Sequence, residues 1–229
     1  MSDSRIIVAL DFASAAEAGK LVETLGDTVS FYKVGLELYT AAGMEFVQQL
    51  ISQGKQVFLD LKLYDIGETV KRAAAVAAQS GVSFLTVHAV PQVMQAAVEG
   101  RGDSKLKILG VTVLTSLDDA DLRADGHHLT AAELVELRVR NAVAAGVDGI
   151  VCSPLEIQRV RAITGPEMLV VTPGVRPADS GAGDQKRIAT PAEALARGAS
   201  HLVIGRPISR AADPRAAVAA VLAEISPLK

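Results

Sequence analysis

Val57-Phe58-Leu59-Asp60-Leu61-Lys62 alternates sharply: Leu59, Leu61 and the following Leu63 fall on one side, Asp60 and Lys62 on the other. Side chains two apart on a strand share a face, so the run reads as a strand with leucines toward a helical layer and two charges toward an enclosed interior. A parallel strand covered on both sides has this character. Seven similar runs accompany it: Ile6 to Asp11, Phe31 to Leu36, Phe84 to Ala89, Ile108 to Leu114, Gly149 to Ser153, Leu169 to Pro173 and Leu202 to Gly205. Between them lie segments of helical apolar spacing, such as Met44, Val47 and Ile51, or Val218, Val221, Leu222 and Ile225. Parallel strands joined by helical crossovers form an open doubly wound sheet or a closed barrel. Eight even units in 229 residues predict closure. The expected fold is α/β, a single-domain (β/α)8 TIM barrel over residues 1–229.

Helix starts are signalled by a capping residue with Glu three places on, at Ser14 and Glu17, Ser153 and Glu156, and Thr190 and Glu193. Pro154 and Pro191 suit the first helical position. Hydrophobic residues at 49% and charged residues at 21% describe a globular chain. With 23 basic and 26 acidic residues, the net charge of -3 gives no general attraction to nucleic acid or anionic membrane. The uncharged stretch from Ala73 to Val98 is interrupted by Gln79, Ser80, Gly81, His88 and Pro91 before a membrane span could form. The first strand-like run begins at Ile6, leaving no room for a secretory signal, so a cytoplasmic location is expected. The lone cysteine, Cys152, lies in an apolar run and reads as a buried thiol without a chemical role.

Charges inside a barrel require a reason. Desolvation costs several kcal/mol per ion, so stability alone is a weak motive for placing Asp60 and Lys62 there. Asp11 closes the first strand and Lys33 sits within the second, so four alternating charges converge near one rim. At the far end of the chain, Val203-Ile204-Gly205-Arg206-Pro207 ends a strand in a glycine turn beside a guanidinium, which suits a phosphate. Thr172-Pro173-Gly174-Val175-Arg176 ends the seventh strand, adding Pro173 and a second arginine to that binding surface. It opens a loop, Arg176 to Ala189, that contains Gln185. A phosphate site after strands seven and eight is common in such barrels. His88 ends a strand without ligand partners in spacing, and His127 and His128 read as solvated loop residues, so no metal site is expected.

Asp60-Leu-Lys62-Leu-Tyr-Asp65-Ile-Gly-Glu-Thr69, Lys33-Val-Gly, Thr172-Pro-Gly-Val-Arg176 and Ile204-Gly-Arg206 together resemble the orotidine 5'-phosphate decarboxylase family along the whole chain. The resemblance implies a cofactor-free homodimeric barrel of pyrimidine biosynthesis that takes a small nucleotide substrate. It implies that Asp11 and Lys33 hold ribose hydroxyls, that Thr115 contacts the pyrimidine, and that Gln185, Gly205 and Arg206, helped by Arg176, hold the phosphate. It further implies that Asp65 and Thr69 reach the partner subunit's site. Gly67-Glu68 departs from the family, where many relatives carry Pro and Asn. The expected reaction is decarboxylation of orotidine 5'-phosphate to uridine 5'-phosphate, with Lys62 as proton donor at C6 and Asp60 and Asp65 keeping it charged and oriented.

Three rival readings remain at this level. A magnesium-dependent sugar-phosphate barrel, such as 3-keto-gulonate phosphate decarboxylase or hexulose phosphate synthase, shares the Asp-x-Lys-x-x-Asp run but carries a metal-binding Glu on strand two, where this chain has Lys33. A Schiff-base aldolase would need Lys62 neutral, against its flanking carboxylates. A non-catalytic nucleotide-phosphate binding protein would use the phosphate grip and leave Asp60 and Lys62 unexplained.

Overall fold

A computed structural model describes residues 3–177 and 188–228. Among these residues, eight parallel strands close into a barrel in chain order: β1 (Ile6–Ala9), β2 (Phe31–Gly35), β3 (Gln56–Leu63), β4 (Phe84–His88), β5 (Lys107–Val111), β6 (Gly149–Val151), β7 (Leu169–Thr172) and β8 (His201–Ile204). Closure is made by β8 on β1, where Ile6, Ile7 and Val8 lie opposite Leu202, Val203 and Ile204. The helices are α1 (Ala15–Leu25), α2 (Leu36–Ser52, kinked at Gly43), α3 (Gly67–Ser80), α4 (Pro91–Arg101) and α5 (Asp119–Ala124). They continue as α6 (Ala131–Ala145), α7 (Ile157–Thr164), α8 (Pro191–Ala196), α9 (Arg206–Ser209) and α10 (Pro214–Ile225). The (β/α)8 barrel read from the alternating runs is the observed fold. Among the described residues no helix is long and apolar enough to cross a membrane.

Two cores follow from the alternation along each strand. The larger lies between strands and helices and contains Val8, Val34, Leu59, Leu85 and Ile204, with Leu61 and Leu63 packed against it. The smaller fills the barrel interior with Ile7, Phe31, Phe58, Phe84, Val171 and Val203 among others. Phe84 meets Phe31 and Phe58 edge-on, with ring centroids 5.0 and 5.9 Å apart, and His201 packs on Phe84 at 5.2 Å. These rings plug the interior. Two residues further along the same strands stand Lys33, Asp60 and Thr86, so the polar layer sits directly above the aromatic one.

Local signals were read correctly at Ser14, which accepts the Glu17 N–H, and at Thr190 with Glu193, where both halves of a capping box form and Pro191 opens α8. At Ser153 the structure corrects the expectation. Ser153 N–H donates to Glu156 Oε2 at 3.0 Å, but residues 154–156 form a turn and α7 begins only at Ile157. Pro154 therefore does not occupy a first helical position. Asp11 and Thr115 lie beyond the ends of β1 and β5, in the loops at the C-terminal mouth.

Candidate active site

Four charges run across the mouth in a chain. Lys33 Nζ lies 2.9 Å from Asp11 Oδ1 and 3.6 Å from Asp60 Oδ2, and Lys62 Nζ lies 2.8 Å from Asp60 Oδ1. β2 and β3 are neighbours with Gly35 opposite Asp60, which places Lys33 and Asp60 on adjacent interior positions. Gly35 has a further part. A Cβ built there would come within 2.8 Å of Lys33 Nζ and 3.4 Å of Asp11 Oδ1, so a side chain at this position would crowd the ion pair and the ammonium would have to shift.

Lys62 does not follow from simple alternation. Leu59 lies opposite Leu85 and Leu63 opposite Val87, so β3 takes four residue steps where β4 takes two. This bulge leaves Lys62 at φ 49°, the only positive φ outside glycine among the described residues. For a side chain as long as lysine this conformation costs of order 1–3 kcal/mol. Two extra residues preserve the parity of a period of two. That is why Asp60 and Lys62 still share a face and Leu61 and Leu63 still pack outward, although the strand is irregular between them.

Burial pushes the Asp60 carboxyl up, but the charges of Lys33 and Lys62, with hydrogen bonds from Lys62 and Thr86, outweigh it and hold the group below the usual carboxylate range. Burial pushes the Lys33 ammonium down, and Asp60 and Asp11 outweigh that in turn, leaving it above its ordinary value. Lys33 and Asp60 are therefore a buried pair of full charges, each acting more strongly than it would in bulk water.

The array forms one side of a cavity of about 470 Å³. Asp11, Lys33, Asp60, Lys62, Thr115, Pro173, Arg176, Gly205 and Arg206, all singled out in the sequence, line it together. Arg176 N–H donates to Ala189 O at 3.0 Å, pinning the two ends of the loop after β7. Burial, then the charge of Arg206, lowers the Arg176 guanidinium pKa, so two arginines are held at one end against their mutual repulsion. An anion there would relieve it. Asp60 and Lys62 stand on β3, across the barrel from β7 in the strand order.

Asp65 and Thr69 do not line this cavity and are exposed. Asp65 does not cap α3 either: its Oδ1 accepts the neighbouring Ile66 N–H at 2.6 Å, while α3 starts at Gly67 without a side-chain cap. Glu68 pairs with Arg72 at 2.7 Å. Gln185 and the middle of the Arg176 to Ala189 loop lie outside the described residues. Cys152 is buried and lines the cavity wall, and His88 is half-buried against Tyr64 with ring centroids 5.5 Å apart. Reading the sequence alone missed Glu37, Ser116 and Arg210, which also line the cavity, and Thr86, which bonds to Asp60. Thr86 was within reach of the period-two rule, two places after Phe84. Its side chain is neutral and so lacks the mark that buried charge gives Asp60 and Lys62.

The model of the family described as "Orotidine 5'-phosphate decarboxylase / HUMPS family" matches residues 4–221. The chain is 57% identical over 225 residues to an orotidine 5'-phosphate decarboxylase of Rhodopseudomonas palustris strain HaA2, covering 98% of this chain and 96% of that protein. It is 58% identical over 227 residues to one from Caulobacter sp. strain K31, covering 99% of each. Among solved structures it is similar to orotidine 5'-phosphate decarboxylase from Lactobacillus acidophilus, with a TM-score of 0.85, 40% identity, and 97% and 99% of the two chains covered.

Proposed function

The chain belongs to the orotidine 5'-phosphate decarboxylase / HUMPS family, and from that premise we propose that it decarboxylates orotidine 5'-phosphate to uridine 5'-phosphate, without a bound cofactor. It is an enzyme of the carboxy-lyase class, as its relatives' names state. The observation that carries the substrate and the reaction is the cavity's polarity. Two arginines line it after β7 and β8, and on β3, across the barrel from β7, a lysine lies 2.8 Å from a buried carboxylate.

In this reading Arg176, Gly205 and Arg206, with Gln185, bind the phosphate. Asp11 and Lys33 hold the ribose hydroxyls, while Thr115 and Pro173 border the pyrimidine. The C6 carboxylate then lies toward Asp60. The bond from C6 to the carboxylate carbon breaks, CO2 departs, and the electron pair stays on C6. The Lys62 ammonium stabilises that pair and delivers its proton to C6, after which the amine regains a proton from water. The Asp60 charge opposes the substrate carboxylate before reaction and loses that repulsion as CO2 leaves.

Asp65 and Thr69 are assigned to the partner subunit's site in a homodimer, giving each cavity a second carboxylate near Lys62. Tyr64 and Ile66 flank Asp65 and are 68% and 71% exposed, an apolar surface of the kind that protein contacts cover. The enzyme would work as one barrel domain over residues 1–229, in the cytoplasm, as a step of pyrimidine biosynthesis. A spectrophotometric assay in EDTA should show loss of orotidine 5'-phosphate at an undiminished rate. Activity that disappears with the chelator would point to the magnesium-dependent sugar-phosphate branch, and no CO2 release under any condition would leave a binding protein.

A further inference from the structure

Thr86 stands on β4 beside β3, in the barrel interior two residues beyond Phe84, and is fully buried. It does not line the cavity. Its hydroxyl makes two hydrogen bonds of 2.9 Å: it accepts the backbone N–H of Lys62 and donates to Asp60 Oδ1. The direction of both bonds is forced. An amide only donates and an ionised carboxylate only accepts, so the hydroxyl proton points at Asp60 and a lone pair faces Lys62. Asp60 Oδ1 is thereby held between the hydroxyl and the Lys62 ammonium, and Oδ2 lies 3.6 Å from Lys33.

The Lys62 bond falls within the β3 bulge, at the residue with φ 49°. In a regular parallel ladder that N–H would be taken by a neighbouring strand's carbonyl. Here a side chain takes it, and the same atom group orients the carboxylate that faces the lysine's other end. One hydroxyl therefore grips Lys62 by its backbone and Asp60 by its carboxylate.

We propose that Thr86 is a positioning residue for the decarboxylation, setting the angle of the Asp60 carboxylate and the backbone bend from which Lys62 reaches the reacting carbon. The inference rests on the function proposed above. A threonine kept only to fill space would be replaceable by valine, which has nearly the same shape. A threonine that positions the charges is replaceable by serine instead.

Thr86→Val, Thr86→Ala and Thr86→Ser separate these roles when kcat, KM and uridine 5'-phosphate affinity are measured beside thermal unfolding. In Thr86→Val, kcat should fall roughly 10- to 100-fold, with KM and product affinity within about threefold of wild type, as expected when bound substrate meets misaligned groups. Thr86→Ser should recover kcat to within about fivefold of wild type. If Thr86→Val does not fold, Thr86→Ala carries the same expectation. A Val or Ala variant with kcat within about twofold of wild type overturns the inference, as does a serine variant no faster than valine. A wild type that releases no CO2 would instead sink the functional reading, and the inference with it.

Discussion

Lys62, the proposed proton donor, has its ammonium 2.8 Å from Asp60 and its backbone at φ 49° in the bulge. A strained lysine persists only where its surroundings over-determine it. Replacing it with alanine should leave nucleotide binding within an order of magnitude, because the arginines and Asp11 are untouched, and should reduce decarboxylation by at least about 10³-fold. Calorimetric titration with uridine 5'-phosphate beside the turnover assay checks both halves. Turnover near wild type would remove Lys62 as the donor. The residue types at the site were legible in the sequence because buried charge is conspicuous. The partner that aligns them was not, since Thr86 becomes meaningful only when β4 lies beside β3.

The helical elements show how a residue type reverses its meaning with context. Glycine within a helix usually weakens it by about 1 kcal/mol against alanine, so Gly100 on α4 would ordinarily invite replacement. A Cβ there would meet the Lys71 backbone carbonyl oxygen of α3 at 2.0 Å. Backbone cannot swing aside as a side chain does, and the Lys71 ion pair with Glu99 joins the same two helices. Gly100→Ala is therefore expected to destabilise by about 1–3 kcal/mol, against the sign of helix propensity. Urea unfolding measures this directly, and an unchanged or raised midpoint would show that α3 and α4 do not approach so closely. α3 follows β3 directly, so loosening this pair should also be felt at Asp65 and the bulge.

For the whole molecule, the aromatic plug carries a pH dependence separate from the chemistry above it. Burial pushes the His201 imidazole down to about 4, with Asp3 opposing weakly, while an unfolded chain protonates its histidines near 6.5. Above pH 6.5 the ring is neutral in both states. As pH falls from there toward 4, only the unfolded chain takes the proton, so stability is lost across that window, about 3 kcal/mol in full. Below it both states are protonated and the loss stops growing. Denaturant unfolding at pH 7 and pH 4.5 should show a smaller acid loss in His201→Phe than in wild type. Equal losses would mean that the plug does not exclude the charged ring.

Sequence by itself determined the eight alternating units, the helix starts at Ser14 and Thr190, and the identities of the charges, because strand and helix periods are written in residues adjacent along the chain. It also determined the face of Asp60 and Lys62, since a bulge of two residues keeps the parity that alternation predicts. Only the tertiary structure decided the left-handed backbone at Lys62, the hydroxyl of Thr86 beneath it, and the later start of α7. These depend on the register between strands distant along the chain. That register is settled by closing eight twisted strands around one packed interior, a condition that no local stretch of residues contains.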